Sequence, residues 1–381
     1  MSQKRNIFED VTATEKAAKP APQPGLIDRA RRGARGAVRG WLMVIFAFVA
    51  TMILVGGLTR LTDSGLSITE WKPITGALPP LNEVDWQQEF EKYQAIPEFQ
   101  IQNSGMDLEA FKSIFWWEWG HRQLGRVLGL VWAVGFVFFL ATRRIPPGWT
   151  GRLLGLGVLG GLQGALGWWM VSSGLSGRMV DVASYRLALH LGLAFFILAL
   201  TCWYILQLGR SEAALLQARR GREAKLFSLS TGLLHFAFLQ ILLGALVAGI
   251  DAGRGYIDWP LMGGQVIPDG MFNLSPWWSN LFENPALVQF VHRLAGYLLV
   301  IFGVIVWRRS RASGQIATRG AFNLVLGMLV LQLVLGIATV MQAAAWPIAI
   351  THQLGAIVTW VLILRARFLS QYPLSQSVRG A

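Results

Sequence analysis

The chain has 381 residues, of which 53% are hydrophobic and only 14% are charged, and its mean hydropathy is positive. This profile excludes an ordinary soluble globular domain and is typical of an integral membrane protein. The net charge of +13 does not indicate nucleic-acid binding, because the Lys and Arg residues form short clusters between long apolar runs. The single cysteine, Cys202, excludes an intramolecular disulfide and a thiolate metal cluster, so a metal would need histidine or oxygen ligands.

The segment before Trp41 is polar, rich in Ala, Pro and Arg, and contains no apolar stretch of its own. A cleaved secretory signal needs such a stretch, and a mitochondrial transit peptide is poor in the acidic residues that are present here. Those acidic residues are Glu9, Asp10, Glu15 and Asp28. We expect residues 1–40 to form a flexible cytoplasmic tail.

Uncharged runs long enough to cross a bilayer, which takes about 20 residues, follow this tail. Helices one, three, four and five are predicted over Trp41–Thr59, Leu153–Gly177, Leu187–Gly209 and Leu226–Ile250. Two shorter runs, Val127–Thr142 and Leu294–Trp307, extend backwards through segments with His and Arg, and they predict helices two and six.

The last uncharged run, Ala321–Leu364, is too long for one span. A turn at Gln342–Pro347 divides it, which predicts helices seven and eight. The fold class is therefore an all-α integral membrane protein with eight transmembrane helices.

The basic clusters orient these helices, because loops rich in Lys and Arg stay on the cytoplasmic side. The clusters are Lys4, Arg5, Arg29, Arg31, Arg32, Arg35 and Arg39; Arg143, Arg144 and Arg152; Arg219, Arg220, Arg222 and Lys225; and Arg308, Arg309, Arg311 and Arg319. Both termini are thus expected in the cytoplasm, and the long connections Leu61–Phe115 and Asp251–Leu287 are expected outside as interfacial caps.

The chain contains an internal repeat. At a spacing of 188 residues, Asp63, Gly65, Glu70, Trp71 and Gly76 match Asp251, Gly253, Asp258, Trp259 and Gly264. At spacings of 171, 169 and 162, the segment His121-Arg122 with Gly125 matches His292-Arg293 with Gly296, Gln163 matches Gln332, and His190 matches His352. The spacing changes only across loops, as expected for duplicated helical units.

The repeat predicts two tandem, pseudo-symmetric four-helix bundles. The N-terminal bundle is expected over residues 41–209 and the C-terminal bundle over residues 228–367. A cytoplasmic linker, residues 210–227, would join them, and residues 368–381 would form a second cytoplasmic tail.

Four of the five histidines are candidate iron ligands. His121, His190, His292 and His352 fall one on each even-numbered helix, within about two turns of its predicted outer end. A single intramembrane histidine more often forms a hydrogen bond between helices, but four at repeat-related positions and one depth are typical of haem ligation. The repeat pairs His121 with His190 and His292 with His352. His235 has no repeat partner and is expected to be structural.

Neighbouring residues add weaker signals. Gly125 and Gly129 follow His121, and Gly296 follows His292, at spacings that would bare the backbone to a porphyrin, although ordinary small-residue helix packing gives the same pattern. Arg122 and Arg293 are candidate contacts for haem propionates, and arginines that extend to the membrane surface would look the same.

The two halves differ next to the first histidine of each. Glu118 lies three residues before His121, whereas Gln289 lies three residues before His292. A buried acid beside a ligand is a candidate functional group. The alternative is an interfacial ion pair between Glu118 and Arg122. We therefore expect the first half to perform chemistry, with Glu118 as its catalytic residue, and the second half mainly to carry electrons.

These motifs resemble the haem A synthase family over nearly the whole chain after residue 40. The resemblance rests on GGLTRLTDSGLSITEWKPITGALPP, EWGHRQLGR, VHRLAGY and the two later histidines. It implies an oxidoreductase that converts the C8 methyl group of haem O to the formyl group of haem A, for assembly of haem-copper oxidases. Some bacterial members carry a cysteine pair in the first outer loop, and its absence here indicates the cysteine-free alphaproteobacterial and mitochondrial branch.

By the same resemblance, His121 and His190 would hold the substrate haem O, and His292 and His352 a resident haem b. Glu118 matches the acid that the family needs near its substrate. The expected location is the bacterial inner membrane, surrounded by lipid. The electron donor is not identified, and pathway logic adds haem O synthase, oxidase assembly factors and a second copy of the chain as candidate partners.

Two other protein classes compete with this interpretation. A di-haem b-type cytochrome that takes electrons from quinol would use the four histidines equally well, but it gives no reason for Glu118 in only one half. A transporter with inverted repeats would place its site near the midplane on broken helices, and neither feature is predicted here.

Overall fold

The computed structural model describes residues 26–177 and 179–375. Eight long helices dominate this part of the chain, and all eight are long and apolar enough to cross a membrane. They are α1 (Leu26–Leu61), α2 (Leu108–Ala141), α3 (Thr150–Val171), α4 (Ser184–Leu208), α5 (Ala224–Gly249), α6 (Pro285–Ser310), α7 (Ile316–Met341) and α8 (Trp346–Gln371). The predicted all-α fold with eight spans is confirmed.

Two helix starts differ from the prediction. The helix α1 begins at Leu26, inside the segment expected to be a flexible tail, and residues 1–25 of that segment lie outside the described residues. The helix α2 begins at Leu108, about two turns before the predicted end of the first long connection at Phe115. The Asp107 side chain caps it by accepting a hydrogen bond from the Ala110 N–H at 2.8 Å.

The uncharged run near the C-terminus divides as predicted. The helix α7 ends at Met341, and Ala343 and Ala344 have φ of 49° and 54°, a left-handed backbone that stops a helix. Pro347 lies in the first turn of α8, where its missing N–H costs nothing.

Helices that follow one another pack together within each half. In the first half α1 contacts α2 and α4, and α3 contacts the same two helices. In the second half α5 and α7 each contact α6 and α8. The halves meet where α4 packs against α5 and α8, and where α1 packs against α8. This order favours an interpretation as two four-helix bundles, and their bounds stay a prediction.

The linker between the halves contains one more helix, Glu212–Arg220, whose N-terminus is capped by Ser211. Arg210 donates a hydrogen bond to the backbone oxygen of Tyr372 at 2.7 Å, and Arg35 pairs with Glu212 at 3.2 Å. The linker therefore lies against both chain ends, at the opposite end of the helices from the two long connections.

The first long connection is folded. We call residues 62–107 the cap. It contains the helices Glu83–Gln94 and Pro97–Ile101. Trp86, Phe90 and Tyr93 of the cap are buried against the start of α2, with ring centroids 4.9 to 5.3 Å from those of Phe111 and Phe115. This aromatic cluster explains why α2 extends beyond its apolar run. The second long connection has shorter helices only, at Ala252–Gly255, Trp277–Ser279 and Asn280–Glu283.

Candidate functional site

Each of the four candidate histidines lies against a glycine of the preceding helix. A Cβ atom added to Gly56 of α1 would lie 3.1 Å from Nε2 of His121, and one added to Gly167 of α3 would lie 2.9 Å from Cε1 of His190. In the second half the corresponding distances are 3.1 Å for Gly244 and His292 and 3.3 Å for Gly336 and His352. All four are shorter than ordinary van der Waals contacts, so each imidazole depends on a bare stretch of backbone.

The glycines also reveal the level of the four rings. Gly56, Gly167, Gly244 and Gly336 lie four or five residues before the ends of α1, α3, α5 and α7. The four imidazoles therefore share one level, near the ends of the helices that carry the long connections. The expectation that every histidine lies within two turns of its own helix start is wrong for His121, because α2 begins 13 residues earlier at Leu108.

The histidines are brought together in the pairs that the repeat indicated. Electrostatic interactions link His121 with His190 and His292 with His352. By contrast, His235 is exposed on α5, and its Nδ1 lies 2.8 Å from the backbone oxygen of Thr231 in the same helix. Cys202 is buried in the apolar core, about three helical turns from His190.

Three glutamines contact the histidines, and sequence reasoning used two of them only as markers of the repeat. The Nε2 atoms of Gln163, Gln240 and Gln332 donate to the backbone oxygens of His190, His292 and His352 at 3.0 to 3.1 Å. The Nε2 atom of Gln163 also lies 3.2 Å from both ring nitrogens of His190, and that of Gln240 lies 3.1 Å from Nδ1 of His292.

These surroundings fit iron in a porphyrin. The Oε1 atoms of Gln163, Gln240 and Gln332 are buried and lack a hydrogen-bond partner among the described residues, and so does Nδ1 of His352. A metal-ligating histidine commonly donates its second ring N–H to a nearby oxygen, and the orphaned amide oxygens are candidates for that acceptor. Two imidazoles facing each other supply the two axial ligands of a haem.

The glycines predicted to bare the backbone for a porphyrin differ among themselves. A Cβ on Gly129 would meet nothing within 4 Å. A Cβ on Gly125 would lie 3.5 Å from Cε of Met52, and one on Gly296 would lie 3.3 Å from Nε2 of Gln240. Gly129 thus borders open space, whereas Gly125 and Gly296 admit a side chain from the neighbouring helix.

Glu118 joins α2 to the cap. It is buried, with 3% of its surface exposed. Its Oε2 accepts hydrogen bonds from the Ser67 hydroxyl and the Ile68 N–H, both at 2.7 Å. Its Oε1 accepts from Nε and Nη2 of Arg122, at 3.0 and 2.6 Å. The ion pair considered as the alternative is therefore present, and the catalytic role of Glu118 stays a prediction.

The two candidate propionate arginines perform the same task in both halves. Arg122 donates to the backbone oxygens of Ile68 and Glu70 at 2.8 and 3.1 Å. Arg293 donates to the equivalent oxygens of Tyr256 and Asp258 at 2.8 and 3.0 Å. Both guanidinium groups fasten a long connection to its helix, and their contact with propionates stays a prediction.

Gln289, the counterpart of Glu118, also binds its long connection but with the opposite polarity. Its Nε2 donates to the backbone oxygen of Tyr256 at 3.1 Å, whereas Glu118 accepts from the backbone N–H of Ile68, the residue equivalent to Tyr256. The substitution of acid by amide thus replaces a charged anchor with a neutral one in the same place.

An ionic network that sequence reasoning missed joins the two halves beside this site. Arg60 of α1 donates to Asp63 and to Asp251, each at 2.8 Å, and it lies 3.6 Å from Asp181. Asp63 and Asp251 are repeat partners, and both have a left-handed backbone, with φ of 47° and 51°. Their matched positions in the repeat were the available signal, but the pairing across halves needs the tertiary structure.

Glu98, in the cap, is the second residue that sequence reasoning missed. Only 3% of its surface is exposed, and its Oε2 has no hydrogen-bond partner among the described residues. Burial, reinforced by the negative charge of Asp181, raises the pKa of Glu98 to about 8. The ordinary value is about 4.3.

We expect Glu98→Gln to flatten the pH dependence of stability. Because the pKa of Glu98 is raised by folding, its effect is absent below about pH 4, and wild-type stability falls as the pH rises through the interval up to about 8. The slope contributed by one such group is at most about 1.4 kcal/mol per pH unit. Thermal unfolding of the purified protein in detergent between pH 5 and 8.5 measures it.

Glu91→Gln is the matched control, because Glu91 is an exposed carboxyl on the neighbouring cap helix. It should retain the wild-type pH dependence. An unchanged slope in Glu98→Gln would contradict the assignment of a buried, neutral carboxyl.

Comparison with known proteins gives a consistent result. Residues 39–364 match the model of the COX15-CtaA family, described as cytochrome oxidase assembly protein. A Heme A synthase of Ruegeria pomeroyi is 65% identical over 382 aligned positions, which cover 100% of both chains. Heme A synthases of Roseobacter denitrificans and Paracoccus denitrificans are 63% and 61% identical, with 100% and 99% of each chain covered.

Proposed function

The chain belongs to the COX15-CtaA family of cytochrome oxidase assembly proteins, and on that premise we propose that it is a haem A synthase. It is an oxidoreductase that converts haem O to haem A, by oxidising the C8 methyl group to a formyl group. The observation that carries this conclusion is the full-length identity of 61 to 65% to proteins named Heme A synthase. Two pairs of facing histidines provide the chemistry that such a protein needs.

We assign haem O to the first half, between His121 and His190, and a resident haem b to the second half, between His292 and His352. The difference between Glu118 and Gln289 supports this division, because only the first half has a buried acid beside its ligand pair. A resident haem b supplies a one-electron redox centre when it is bound. Its place in the second half would let electrons leave the substrate without further titratable groups.

Glu118 is the proposed catalytic residue. A carboxylate has about four lone-pair positions, and all four are used here by Ser67, Ile68 and Arg122. These bonds favour an electrostatic role, in which a fixed carboxylate stabilises positive charge that develops at the methyl carbon. Transfer of a proton to Glu118 would first require one of the four bonds to break.

The proposed location is the bacterial inner membrane with both termini in the cytoplasm. The positive-inside rule supports this orientation, because the basic clusters fall in the tails and in the short connections. The two long connections, and with them both histidine pairs, would then lie near the outer leaflet. Haem O from a synthase in the same membrane would reach them through lipid.

Pigment analysis tests the function directly. We expect haem extracted from the protein, purified from a host that makes haem O, to contain haem O or haem A together with haem b. Reversed-phase chromatography of the acid-acetone extract separates the three. Haem b alone in both halves would instead identify a di-haem b-type cytochrome.

Glu118→Gln should retain bound haem O but lower the yield of haem A by about 10²-fold, the size expected when a positioned electrostatic group is lost. The measurement is the ratio of haem A to haem O in extracts, with thermal stability recorded beside it. Glu109→Gln is the control, since Glu109 is an exposed acid on the same helix. Wild-type haem A yield in Glu118→Gln would refute the proposed role.

His292→Ala should abolish the haem b absorption of the second half, because one axial ligand and its contact with Gly244 are removed together. Pyridine haemochrome spectra measure the haem b content per chain. His235→Ala should retain the wild-type content, since that ring binds only its own helix. Equal haem b in both variants would exclude His292 as a ligand.

A further inference from the structure

The four histidines are not anchored equally. Three of them have a glutamine that donates to the backbone oxygen of the histidine and places its amide beside the ring. No side chain in the described parts of the chain donates to His121. The first half therefore has one anchored histidine, His190, whereas the second half has two.

The missing anchor is a substitution at a matched position of the repeat. Gly56 and Gly244, which contact His121 and His292, are 188 residues apart, the same spacing that relates Trp71 to Trp259. At this spacing the counterpart of Gln240 is Met52.

Met52 also takes the place of Gln240 in space. The Cε atom of Met52 lies over Gly125, four residues after His121, and the Nε2 atom of Gln240 lies over Gly296, four residues after His292. The two side chains thus reach the same point on equivalent helices. Met52 presents a methyl group where Gln240 presents an amide, so it offers no N–H to the histidine and no oxygen to its ring.

We propose that Met52 makes His121 the weakly held ligand, so that haem in the first half exchanges while haem in the second half stays. Gln163, Gln240 and Gln332 are positioning residues that orient the other three histidines. This inference rests on the proposed function, since it needs a substrate haem in the first half and a resident haem in the second.

The physical reason is the role of the atoms behind the iron ligand. A hydrogen bond to the second ring nitrogen of a ligating histidine fixes the orientation of the ring and raises its basicity, and its loss commonly weakens metal binding by 10 to 100-fold. The Oε1 atoms of the three glutamines are buried and unpaired, so each is available for such a bond. A product that must leave its enzyme benefits from one ligand without this support.

Haem transfer to excess apomyoglobin tests the inference on the purified full-length holoprotein. The identity of the transferred pigment labels its origin, because haem O and haem A come from the first half and haem b from the second. In the wild type we expect haem O and haem A to transfer faster than haem b. Met52→Gln should slow the transfer of haem O and haem A by about 10-fold or more and leave that of haem b unchanged.

Two further variants separate anchoring from other effects. Met52→Leu supplies no amide and should keep the wild-type transfer rate, whereas a change as large as that of Met52→Gln would identify the thioether itself as the active group and overturn the proposal. Gln240→Met reproduces the first-half arrangement in the second half, and it should speed the loss of haem b by about 10 to 100-fold. That variant gives a result even if Met52→Gln fails to fold.

The failure of this inference differs from the failure of the proposed function. If haem O and haem A are present but Met52→Gln and Gln240→Met both transfer their pigments at wild-type rates, the anchoring role is refuted and the enzyme remains. If the wild type contains haem b alone, both proposals are refuted.

Discussion

The contact between an imidazole and a bare glycine backbone is the constraint on which the site depends. Each histidine projects from one helix, and the glycine opposite it belongs to the preceding helix, so the ring is placed only when both helices pack in one register. Any larger residue at Gly56, Gly167, Gly244 or Gly336 would meet the ring at less than ordinary contact distance. The same four glycines bring the four rings to one level near the ends of the helices.

A duplicated scaffold carries two sites of different character. The arginines beside the histidines fasten the long connections in the same way in both halves, which shows that the frame is shared. Two substitutions distinguish the halves, Glu118 for Gln289 and Met52 for Gln240. The first adds a fixed charge beside one pair of histidines, and the second removes a hydrogen-bonding anchor from the same pair.

The cap and the junction between halves lie at the same end of the molecule as the histidines. Glu118 ties α2 to the cap through Ser67 and Ile68, and Arg60 ties the start of the cap to Asp251 in the second half. Buried ionic groups of this kind add little net stability but are costly to break, so they favour a single arrangement. Glu98 extends the polar character of this region into the cap without a partner of its own.

The sequence by itself determined the eight spans, the repeat and the four histidines, because each depends on a pattern along the chain. A membrane helix needs an uninterrupted apolar run, and a duplicated unit preserves the spacing of its marked residues. The start of α2 was missed by two turns, since the cap rings that bury Phe111 and Phe115 are distant in sequence. Only the tertiary structure decided which residues stand behind each ligand, because the glycine and glutamine contacts join neighbouring helices. The unequal anchoring of His121 emerged for that reason from packing across α1 and α2, where Met52 meets Gly125.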